Sequence, residues 1–371
     1  MGTLAINILT RTDLDAGDWA IDDAVIQLRE WGTSATHVLP PPPINDCTIG
    51  SAETCWFPLN DPTMRVSRLH ARLVRTRTKW QVRDEASKNG MWVDGARRPH
   101  VALEPGVEIG IGGIVLVAES ARSIVLRSFL ARLIGWSSEH AGLVDHALRS
   151  VRLAATRAVA LILCGEGDLV PVARSIHRHS RGADRPFIVC DPRRQPGKAT
   201  VRTAENATTG IEALGRAAGG SLCVRSWRLP PDFSQVVEAL RVPASQVALI
   251  VCAQALEDCD RCRVTPIMVP PLTTRAAEID RIIDEYAADA AAEFSSPRSE
   301  FPAVDHAWVR DYAAMSLPEI EKATLRLVAI RTSRNLSGAA ARLGMAAVSL
   351  TRWIRRRSLP SMMAQDHKIH S

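Results

Sequence analysis

The sequence predicts a multidomain protein with an all-β N-terminal part, an α/β central part and an all-α C-terminal part. Residues 47–118 contain short segments of alternating polarity separated by turn residues, at the spacing of a β-sandwich. Between residues 122 and 294, apolar runs of strand length alternate with helical patterns, which is typical of α/β construction. Beyond residue 316 the pattern is helical and the charge is basic.

Two breaks in composition help to place the domain boundaries. A proline stretch at 39–46 precedes the short β segments, and a Ser/Pro-rich stretch at 295–305 precedes the helical end. Residues 19–31, "WAIDDAVIQLREW", could form a helix or an extra pair of strands. The predicted divisions are an N-terminal segment without an assigned role at 1–36, a β-sandwich at 37–120, a linker at 121–134, an α/β domain at 135–294, a linker at 295–315, a helical domain at 316–360 and a tail at 361–371.

Composition excludes some classes of protein. There is no apolar run of about 18 residues to span a bilayer, and the N-terminus lacks a signal-like stretch, so we expect a cytoplasmic protein that does not bind membranes. The eight cysteines are scattered. Cys259 and Cys262 could form half of a zinc site, but no second pair stands at ligand spacing. We therefore expect no bound metal.

The positive charge is concentrated at the C-terminal end. Of the 46 Lys and Arg residues and 40 Asp and Glu residues, ten basic and three acidic ones follow residue 315, which gives +7 there. The preceding 315 residues carry 36 basic and 37 acidic residues, or −1. A basic balance confined to one end marks where a polyanion would bind.

Three motifs within the β segments identify a family. They are "IGSAE" at 49–53, "DPTMRVSRLHARL" at 61–73, which contains Ser67-Arg68-Leu69-His70, and "ASKNGMWVDGARR" at 86–98, which contains Asn89-Gly90. In order and spacing this set resembles the forkhead-associated (FHA) domain, a β-sandwich whose loops bind phosphothreonine peptides. The resemblance covers about seventy residues and implies a phosphothreonine-containing protein as partner.

The resemblance also implies roles for individual residues. The residue at the position of Ser67 contacts the phosphate, His70 braces the loop, and the residue at the position of Asn89 hydrogen-bonds to the peptide backbone. The chain departs from the family at Ser51, where an arginine is usual, although a nearby cation could replace that phosphate donor. An alternative is that these residues only hold the loops together. The predicted phosphopeptide site comprises Ser51, Arg65, Ser67, Arg68, His70, Lys88 and Asn89.

The central region begins as a phosphate-binding loop begins. An apolar strand runs into Gly165-Glu166-Gly167, and a helix follows, which is the frame of such a loop. This frame, with "AAGGSLCVRSWRLPPDF" at 217–233 and "PPLTTRAAEID" at 270–280, resembles the AAA+ ATPase domain of sigma-54-dependent enhancer-binding regulators.

The chemical positions of that family have changed. The phosphate-binding lysine would fall on Pro171, or near Leu169 if two residues are deleted, and Arg225-Ser226 stand where the Walker B acids should be. The loop that touches the sigma factor is absent between residues 192 and 217. Phosphoryl transfer depends on this lysine and on a magnesium ion held by the Walker B acids. We therefore expect that the protein has no ATPase activity, is not an enzyme and binds no cofactor. Gly165 and Gly167 mark the degenerate nucleotide site. Weak adenine-nucleotide binding without turnover is the alternative.

The C-terminal segment 316–360 divides into three helices. The third spans about 347–357 and places Leu350, Trp353 and Ile354 at helical spacing, with arginines on the opposite face. With Asn335 before the second helix, Ala339-Ala340 within it and Leu343-Gly344-Met345 at the turn, the segment resembles the Fis-type helix–turn–helix of the same regulators.

That resemblance implies double-stranded DNA as a partner. The third helix would enter the major groove with its early side chains near base edges, while arginines neutralise phosphates. An alternative is a basic amphipathic helix that lies on a partner protein or an acidic membrane. The predicted DNA-binding residues are Arg342, Ala347, Ser349, Arg352, Arg355, Arg356 and Arg357.

The three resemblances together predict a function. Their order is that of FHA-containing sigma-54-type bacterial regulators, which implies a DNA-binding transcriptional regulator with a phosphothreonine-sensing domain and an inactive AAA+ core. One helix–turn–helix makes few contacts, so we expect a homodimer on paired half-sites. One alternative is a phosphopeptide-dependent signalling adaptor without specific DNA binding, and another is an ATP-driven sigma-54 activator.

Overall fold

The computed structural model describes residues 24–77, 79–156, 159–242, 246–258, 264–294 and 301–356. Several predictions fall outside these ranges and are not addressed by the fold. They concern most of the 1–36 segment, the Cys259–Cys262 pair, Arg357 and the tail at 361–371.

Two β-sheets form a sandwich between residues 25 and 120. One sheet has the strand order β2-β1-β11-β10-β7-β8, and the other has the order β4-β3-β5-β6-β9. All pairs are antiparallel except β3 with β4. The strands are β1 Val25–Glu30, β2 Thr36–Val38, β3 Asp46–Gly50, β4 Phe57–Pro58, β5 Ala71–Thr76, β6 Lys79–Asp84, β7 Met91–Val93, β8 Ala96–Arg97, β9 His100–Ala102, β10 Glu108–Ile111 and β11 Ile114–Ser120.

Alternating residues of these strands build the core of the sandwich. In β5 and β6, Leu73 pairs with Val82, and both are fully buried. Ile49, Met91 and Ile109 are also fully buried in the same core. The alternation of apolar and polar residues that predicts the strands therefore also predicts which side chains face the core.

The sandwich begins earlier than the boundary predicted at residue 37. Strand β1 lies inside a sheet and pairs along its length with β11, with Leu28 opposite Ala118. Leu28 is fully buried in the sandwich core. Of the two interpretations of residues 19–31, the strand is therefore correct for the part that the structure describes. Strand β11, the last of the sandwich, pairs with β1, which lies about 90 residues earlier in the sequence.

The central region contains a parallel sheet with the order β14-β13-β15-β16-β12-β17. Side chains alternate between its two faces. In β12, Leu161 and Leu163 belong to one apolar cluster, while Ile162 and Cys164 belong to another. The strands are β12 Leu161–Gly165, β13 Phe187–Cys190, β14 Glu205–Ala207, β15 Ser221–Arg225, β16 Ala248–Ala253 and β17 Ile267–Val269, and the helices are α1 Ala121–Ile134, α2 Ala141–Thr156, α3 Val170–Arg181, α4 Gly210–Arg216, α5 Phe233–Leu240 and α6 Ile279–Glu293.

The linker predicted at 121–134 is helix α1 instead. Ser120 caps it by accepting a hydrogen bond from the Ser123 amide at 3.2 Å, and the Ser123 hydroxyl accepts one from the Ser120 amide at 2.7 Å. Reciprocal bonds of this kind start a helix directly after a strand. Leu126 and Leu130 of this helix are fully buried in the central core, so the segment belongs to the α/β domain.

Four helices follow, and the first lies inside the linker predicted at 295–315. Trp308 and Val309 of that helix are buried, and its Asp305 accepts a hydrogen bond of 2.8 Å from Arg331, which ends the second of the four helices. The four helices share one apolar cluster with α3 and α6 of the central region. They are α7 Ala303–Tyr312, α8 Leu317–Arg331, α9 Leu336–Arg342 and α10 Ala347–Arg356.

A buried arginine joins the sandwich to the central region. Arg29 of β1 is 1% exposed, donates to Glu119 at 2.7 Å and forms a bidentate pair with Asp145 of α2. Desolvation opposes its charge, but the hydrogen bonds and the two carboxylates outweigh it, so the pKa of Arg29 is raised. None of the sequence motifs includes Arg29 or Asp145, so this ion pair was not predicted.

Candidate functional site

The Ser67–His70 loop is held by a chain of hydrogen bonds. The Ser67 amide donates to His70 Nδ1 at 3.1 Å, and His70 Nε2 donates to the Gly90 carbonyl at 3.2 Å. Since Nδ1 accepts, the proton of the neutral ring lies on Nε2. His70 is fully buried, so it braces the loop from inside.

Three further hydrogen bonds bring the motif loops together. The Asn89 side chain donates to the Arg65 carbonyl at 2.7 Å, and the Ser67 hydroxyl accepts from the Lys88 amide at 3.2 Å. The first motif loop also closes on the second, because the Ser51 amide donates to the Ser67 carbonyl at 3.0 Å. The seven residues of the predicted phosphopeptide site therefore lie together at one end of the sandwich.

An aspartate that the motifs did not single out sets the shape of the 61–66 loop. The Asp61 carboxylate accepts hydrogen bonds from the amides of Thr63 and Arg65, each at 2.9 Å, and of Gly113 at 3.1 Å. Desolvation raises the pKa of Asp61, but these hydrogen bonds outweigh it, and the pKa lies well below its usual range. The Asp-Pro dipeptide, a common turn signal, could have identified this residue.

The exposed groups of the site are mainly cationic. Arg65, Arg68 and Lys88 are exposed, and none of them forms an ion pair with another residue that the structure describes. Ser51 is exposed as well, so its hydroxyl faces solvent where an arginine would add a fourth cation. A hydroxyl surrounded by cations can bind a phosphate dianion by charge-assisted hydrogen bonds.

The loop predicted to be a degenerate nucleotide site contains an ion-pair network. Gly165 ends β12 and Gly167 adopts φ +81°, but the next residue, Asp168, accepts hydrogen bonds of 3.1 and 2.8 Å from Arg225. Arg225 also donates to the buried Asp191 at 3.0 Å. These three side chains join the carboxyl ends of β12, β13 and β15, which is where a parallel sheet binds nucleotides.

The outward face of α10 carries the arginines predicted to bind DNA. Ser349, Arg352, Arg355 and Arg356 are exposed, whereas Leu350, Trp353 and Ile354 are buried, which is the division that their spacing predicts. Arg357 lies outside the described residues. Trp353 packs edge-on against Trp308 of α7 with ring centroids 5.6 Å apart, so α10 is held on its inner side.

Two of the predicted DNA-binding residues make contacts inside the protein. Arg342 donates to the Thr332 carbonyl at 3.1 Å and to the Phe294 carbonyl at 2.8 Å, and its guanidinium lies 4.6 Å from the Phe294 ring centre. It therefore caps α8 and fixes α9 to the end of α6. Ala347 is partly buried against the core. The sequence pattern did not indicate these internal contacts, and the DNA contacts of both residues stay predictions.

The part of the chain that the structure describes shows no sign of a metal site or a membrane span. No three His, Cys, Asp or Glu side chains of that part are grouped so as to hold a metal ion. None of the helices placed in the structure has the length and apolar character needed to cross a bilayer.

Comparison with known proteins identifies the N-terminal sandwich. The family model described as the FHA domain matches residues 47–112. The chain therefore contains an FHA domain, and the three motif loops belong to it. No curated protein matches the chain.

Solved structures similar to this chain include FHA domains of bacterial proteins. A structure of Mycobacterium tuberculosis EmbR in complex with a low-affinity phosphopeptide is 28% identical, over 26% of this chain and 24% of that chain, with a TM-score of 0.23. The FHA-1 domain of M. tuberculosis Rv1747 is 24% identical, over 26% of this chain and 97% of that one, with a TM-score of 0.23. The FHA domain of the CT664 protein from Chlamydia trachomatis is 21% identical, over 25% and 94% of the two chains, with a TM-score of 0.23.

Proposed function

We propose that this FHA-containing chain is a transcriptional regulator that binds a phosphothreonine-containing protein through its sandwich and double-stranded DNA through its C-terminal helices. Its central domain has the frame of an AAA+ domain and does not hydrolyse ATP. The protein acts in the cytoplasm as a homodimer and needs no cofactor. The observation that carries the proposal is the Ser67 hydroxyl, which is held in place among exposed cations.

The geometry around Ser67 supports phosphothreonine recognition. Because the Ser67 oxygen accepts from the Lys88 amide, its own proton is available to a phosphate oxygen. Arg65, Arg68 and Lys88 supply the positive charge that the family arginine would have supplied at Ser51. A phosphate carries a charge of about −1.5 to −2 near neutral pH, and cations on a rigid frame favour it over an unmodified threonine.

The network around Arg225 supports the absence of ATP turnover. Its guanidinium stands where the family places the acids that hold magnesium and polarise water, and it is paired with Asp168 in the loop that should cradle the phosphates. A phosphate entering this loop would have to displace Asp168, and no lysine is present to replace that pairing. We propose that the domain is kept as a scaffold for self-association or for relaying a signal.

The α9–α10 unit supports DNA binding. Ala339 and Ala340 are buried and let the two helices approach closely, and Gly344 makes the turn between them at φ +61°. The Asn335 side chain caps α9 by accepting from the Gly338 amide at 2.8 Å. The pair forms a helix–turn–helix whose second helix presents Ser349 and Arg352 to base edges and later arginines to phosphates.

A peptide-binding experiment on the full-length protein tests the sensing function. The probe is an array of peptides with and without phosphothreonine, and the variant is Ser67→Ala. We expect binding only to phosphorylated peptides and a loss of at least about tenfold in affinity for the variant, the cost of one charge-assisted hydrogen bond. Ser34→Ala, which changes an exposed serine of the sandwich outside the three motif loops, serves as the matched control and should bind like the wild type.

The DNA-binding function is tested by selecting fragments from a genomic library. Enrichment by the wild type that disappears in Arg352→Ala supports a transcription factor. Peptide binding without enrichment over random DNA would instead support the signalling adaptor, and release of phosphate from ATP would support the ATP-driven activator.

A further inference from the structure

The segment between β13 and β14 is a basic loop that lies beside the turn of the helix–turn–helix. Residues 191–203, "DPRRQPGKATVRT", contain four basic side chains and one acidic one. The acidic residue, Asp191, is buried and paired with Arg225. The loop therefore presents positive charge that its own sequence does not neutralise.

A buried asparagine gives this loop a fixed shape. Asn206 is 1% exposed, and its side chain donates to the Arg194 carbonyl at 3.0 Å while accepting from the Asp191 amide at 3.1 Å. Its backbone pairs with Gly197, with an N–O distance of 2.9 Å from the Asn206 amide to the Gly197 carbonyl. Both ends of the stretch 191–197 are thereby held, which presents its cations from a rigid frame.

The second half of the loop contacts the turn between α9 and α10. A Cβ atom added to Gly344 would lie 2.8 Å from the Cβ of Thr200, and Arg202 Nη1 lies 2.9 Å from the Met345 sulfur. Arg174 of α3 donates to the Thr200 and Val201 carbonyls, each at 3.0 Å. The loop is thus fixed between the central domain and the residues that lead directly into α10.

Three cations of the loop point into solvent. Arg193, Arg194 and Lys198 are exposed, and none of them forms an ion pair with a residue in the described ranges. Thr200 follows Lys198 by two positions, which is at most about 7 Å of extended chain. Lys198 therefore stands close to the turn that leads into the recognition helix.

We propose that Arg193, Arg194 and Lys198 form a second contact with the backbone of the DNA that α10 binds. This inference rests on the DNA binding proposed above and adds a part of the central domain to the interface. The loop's cations are suited to phosphates, so the loop contributes affinity and register while α10 contributes sequence preference.

The chemistry of the loop favours a duplex as its partner. The loop adjoins the turn that leads into α10, so the basic loop and the basic helix are neighbours on the protein surface. Arg202 belongs to the loop, and Arg174 of α3 lies against it. Burial lowers the pKa of both, and Arg178 lowers the pKa of Arg174 further, whereas Glu321 and Glu293 oppose that shift. Both guanidinium groups stay charged near neutral pH, so an approaching polyanion would meet their positive charge as well as that of the exposed cations.

Salt titrations of the full-length protein on DNA test this inference. The probes are the best fragment from the genomic selection and a random duplex of equal length. The loop variant is Arg193→Ala/Arg194→Ala/Lys198→Ala. Its matched control removes three exposed cations of the sandwich, Lys79→Ala/Arg83→Ala/Arg98→Ala, and Arg352→Ala reports the recognition helix.

We expect the loop variant to bind both duplexes about tenfold or more weakly near 0.1 M salt while it keeps its preference for the selected fragment. The slope of log K against log salt should fall by about 0.9 for each phosphate that the protein no longer neutralises. The control should match the wild type, and Arg352→Ala should lose preference.

Three other results would count against the inference. Equal slopes and affinities for the loop variant and the control, with specific binding by the wild type, would overturn it and leave the proposed function standing. Tighter binding by the loop variant would show that the loop obstructs DNA, which also overturns it. No binding by the wild type to any duplex would overturn the proposed DNA binding and this inference with it.

Discussion

At the scale of single residues, the predicted phosphopeptide site contains two kinds of side chain. Some are hydrogen-bonded within the sandwich, and others keep donors that a phosphate could accept from. His70 and Asn89 are committed to hydrogen bonds within the sandwich, so their removal changes loop geometry before it changes ligand contacts. Ser67 and the exposed cations keep donors for a phosphate. Ser51 marks the position where the site departs from its family and where a change can add a donor.

The Ser51→Arg variant is therefore predicted to bind phosphothreonine peptides more tightly than the wild type. Its guanidinium would stand beside Ser67, whose carbonyl the Ser51 amide already contacts, and one added charge-assisted hydrogen bond corresponds to about tenfold in affinity. Calorimetric titration with the best array peptide measures the change. Ser51→Ala serves as the control and should be nearly neutral. Equal affinity in Ser51→Arg would mean that the phosphate lies elsewhere.

The sequence predicted the FHA sandwich and its three motif loops, which the match over residues 47–112 confirms. The motifs identified Ser67, His70 and Asn89 because the sandwich fixes their spacing. The internal contacts of Arg342 and Ala347 were not predicted, because a helical pattern shows which face is apolar and does not show which carbonyls lie nearby. One acceptor of Arg342, the Phe294 carbonyl, comes from a segment 48 residues earlier in the chain.

At the scale of secondary-structure elements, α3 is tied to the central sheet by a buried histidine. His177 is 2% exposed and lies between the Ser221 hydroxyl, at 2.8 Å, and the Arg185 carbonyl, at 3.0 Å. Desolvation lowers its pKa to about 4, although the hydrogen bond to Arg185 opposes the shift. The neutral ring thus joins the helix to β15.

Stability should consequently depend on pH through His177. The pKa of His177 is lower in the folded state than in the unfolded state, where it is about 6.5. The neutral ring therefore contributes to the free energy of unfolding in full above pH 6.5, and this contribution is lost as the pH falls toward about 4. The difference corresponds to about 3 kcal/mol. Urea unfolding from pH 7 to pH 4 should show this loss in the wild type and a smaller one in His177→Gln. Parallel curves for the two proteins would contradict the assignment.

The Arg225 network is the second link between elements, and its removal should destabilise the domain. Asp191 is 2% exposed, so Arg225→Ala leaves it with Arg228 at 3.3 Å as its remaining ion-pair partner among the described residues. Breaking a buried pair costs about 3–5 kcal/mol. Urea unfolding measures the loss, and Arg216→Ala, which breaks exposed pairs with Glu205 and Glu212, should cost at most about 1 kcal/mol. A neutral Arg225→Ala would contradict the role given to the network.

Helices and strands were predicted where the sequence of the segment itself carries the pattern. The strands of the sandwich follow from alternating polarity, those of the central sheet follow from apolar runs, and α10 follows from its amphipathic spacing. Helix α7 was placed in a linker because nearby proline and serine residues suggested a break, and α1 was predicted as a linker between the sandwich and the α/β domain, although Trp308 and Leu126 are buried in the core. Long-range pairing of β1 with β11 leaves no local signal in the sequence.

At the scale of the whole molecule, the C-terminal helices are joined to the central domain by a shared core. Ile320 and Leu327 of α8 are fully buried in the cluster that also contains Ile282 and Ile283 of α6. A truncation before α8 would expose this surface and unfold more than the helices it removes. Point variants of α10 therefore test DNA binding more cleanly than deletion does.

The sandwich is joined to the central domain through Arg29, and removal of its side chain should be costly. Arg29→Ala removes the counter-charge of Asp145, which is 2% exposed, and leaves Glu119, which is 0% exposed, with only the partly exposed Arg127 at 3.1 Å among the ion-pair partners in the described residues. We expect the free energy of unfolding to fall by about 3–5 kcal/mol. Arg149→Ala breaks a more exposed pair with Glu108 at the same boundary and should cost about 1 kcal/mol or less. Equal effects of the two variants in urea unfolding would contradict a special role for Arg29.

The most direct test of the central claim is the salt-dependent affinity of the full-length protein for its best selected DNA fragment, measured for the wild type, Arg352→Ala and Arg356→Ala. We expect Arg352→Ala to relax the preference over random DNA, whereas Arg356→Ala should weaken both duplexes alike and lower the salt slope by about 0.9. Loss of non-specific binding alone in both variants would show that α10 is not a recognition helix and would contradict the proposed DNA recognition.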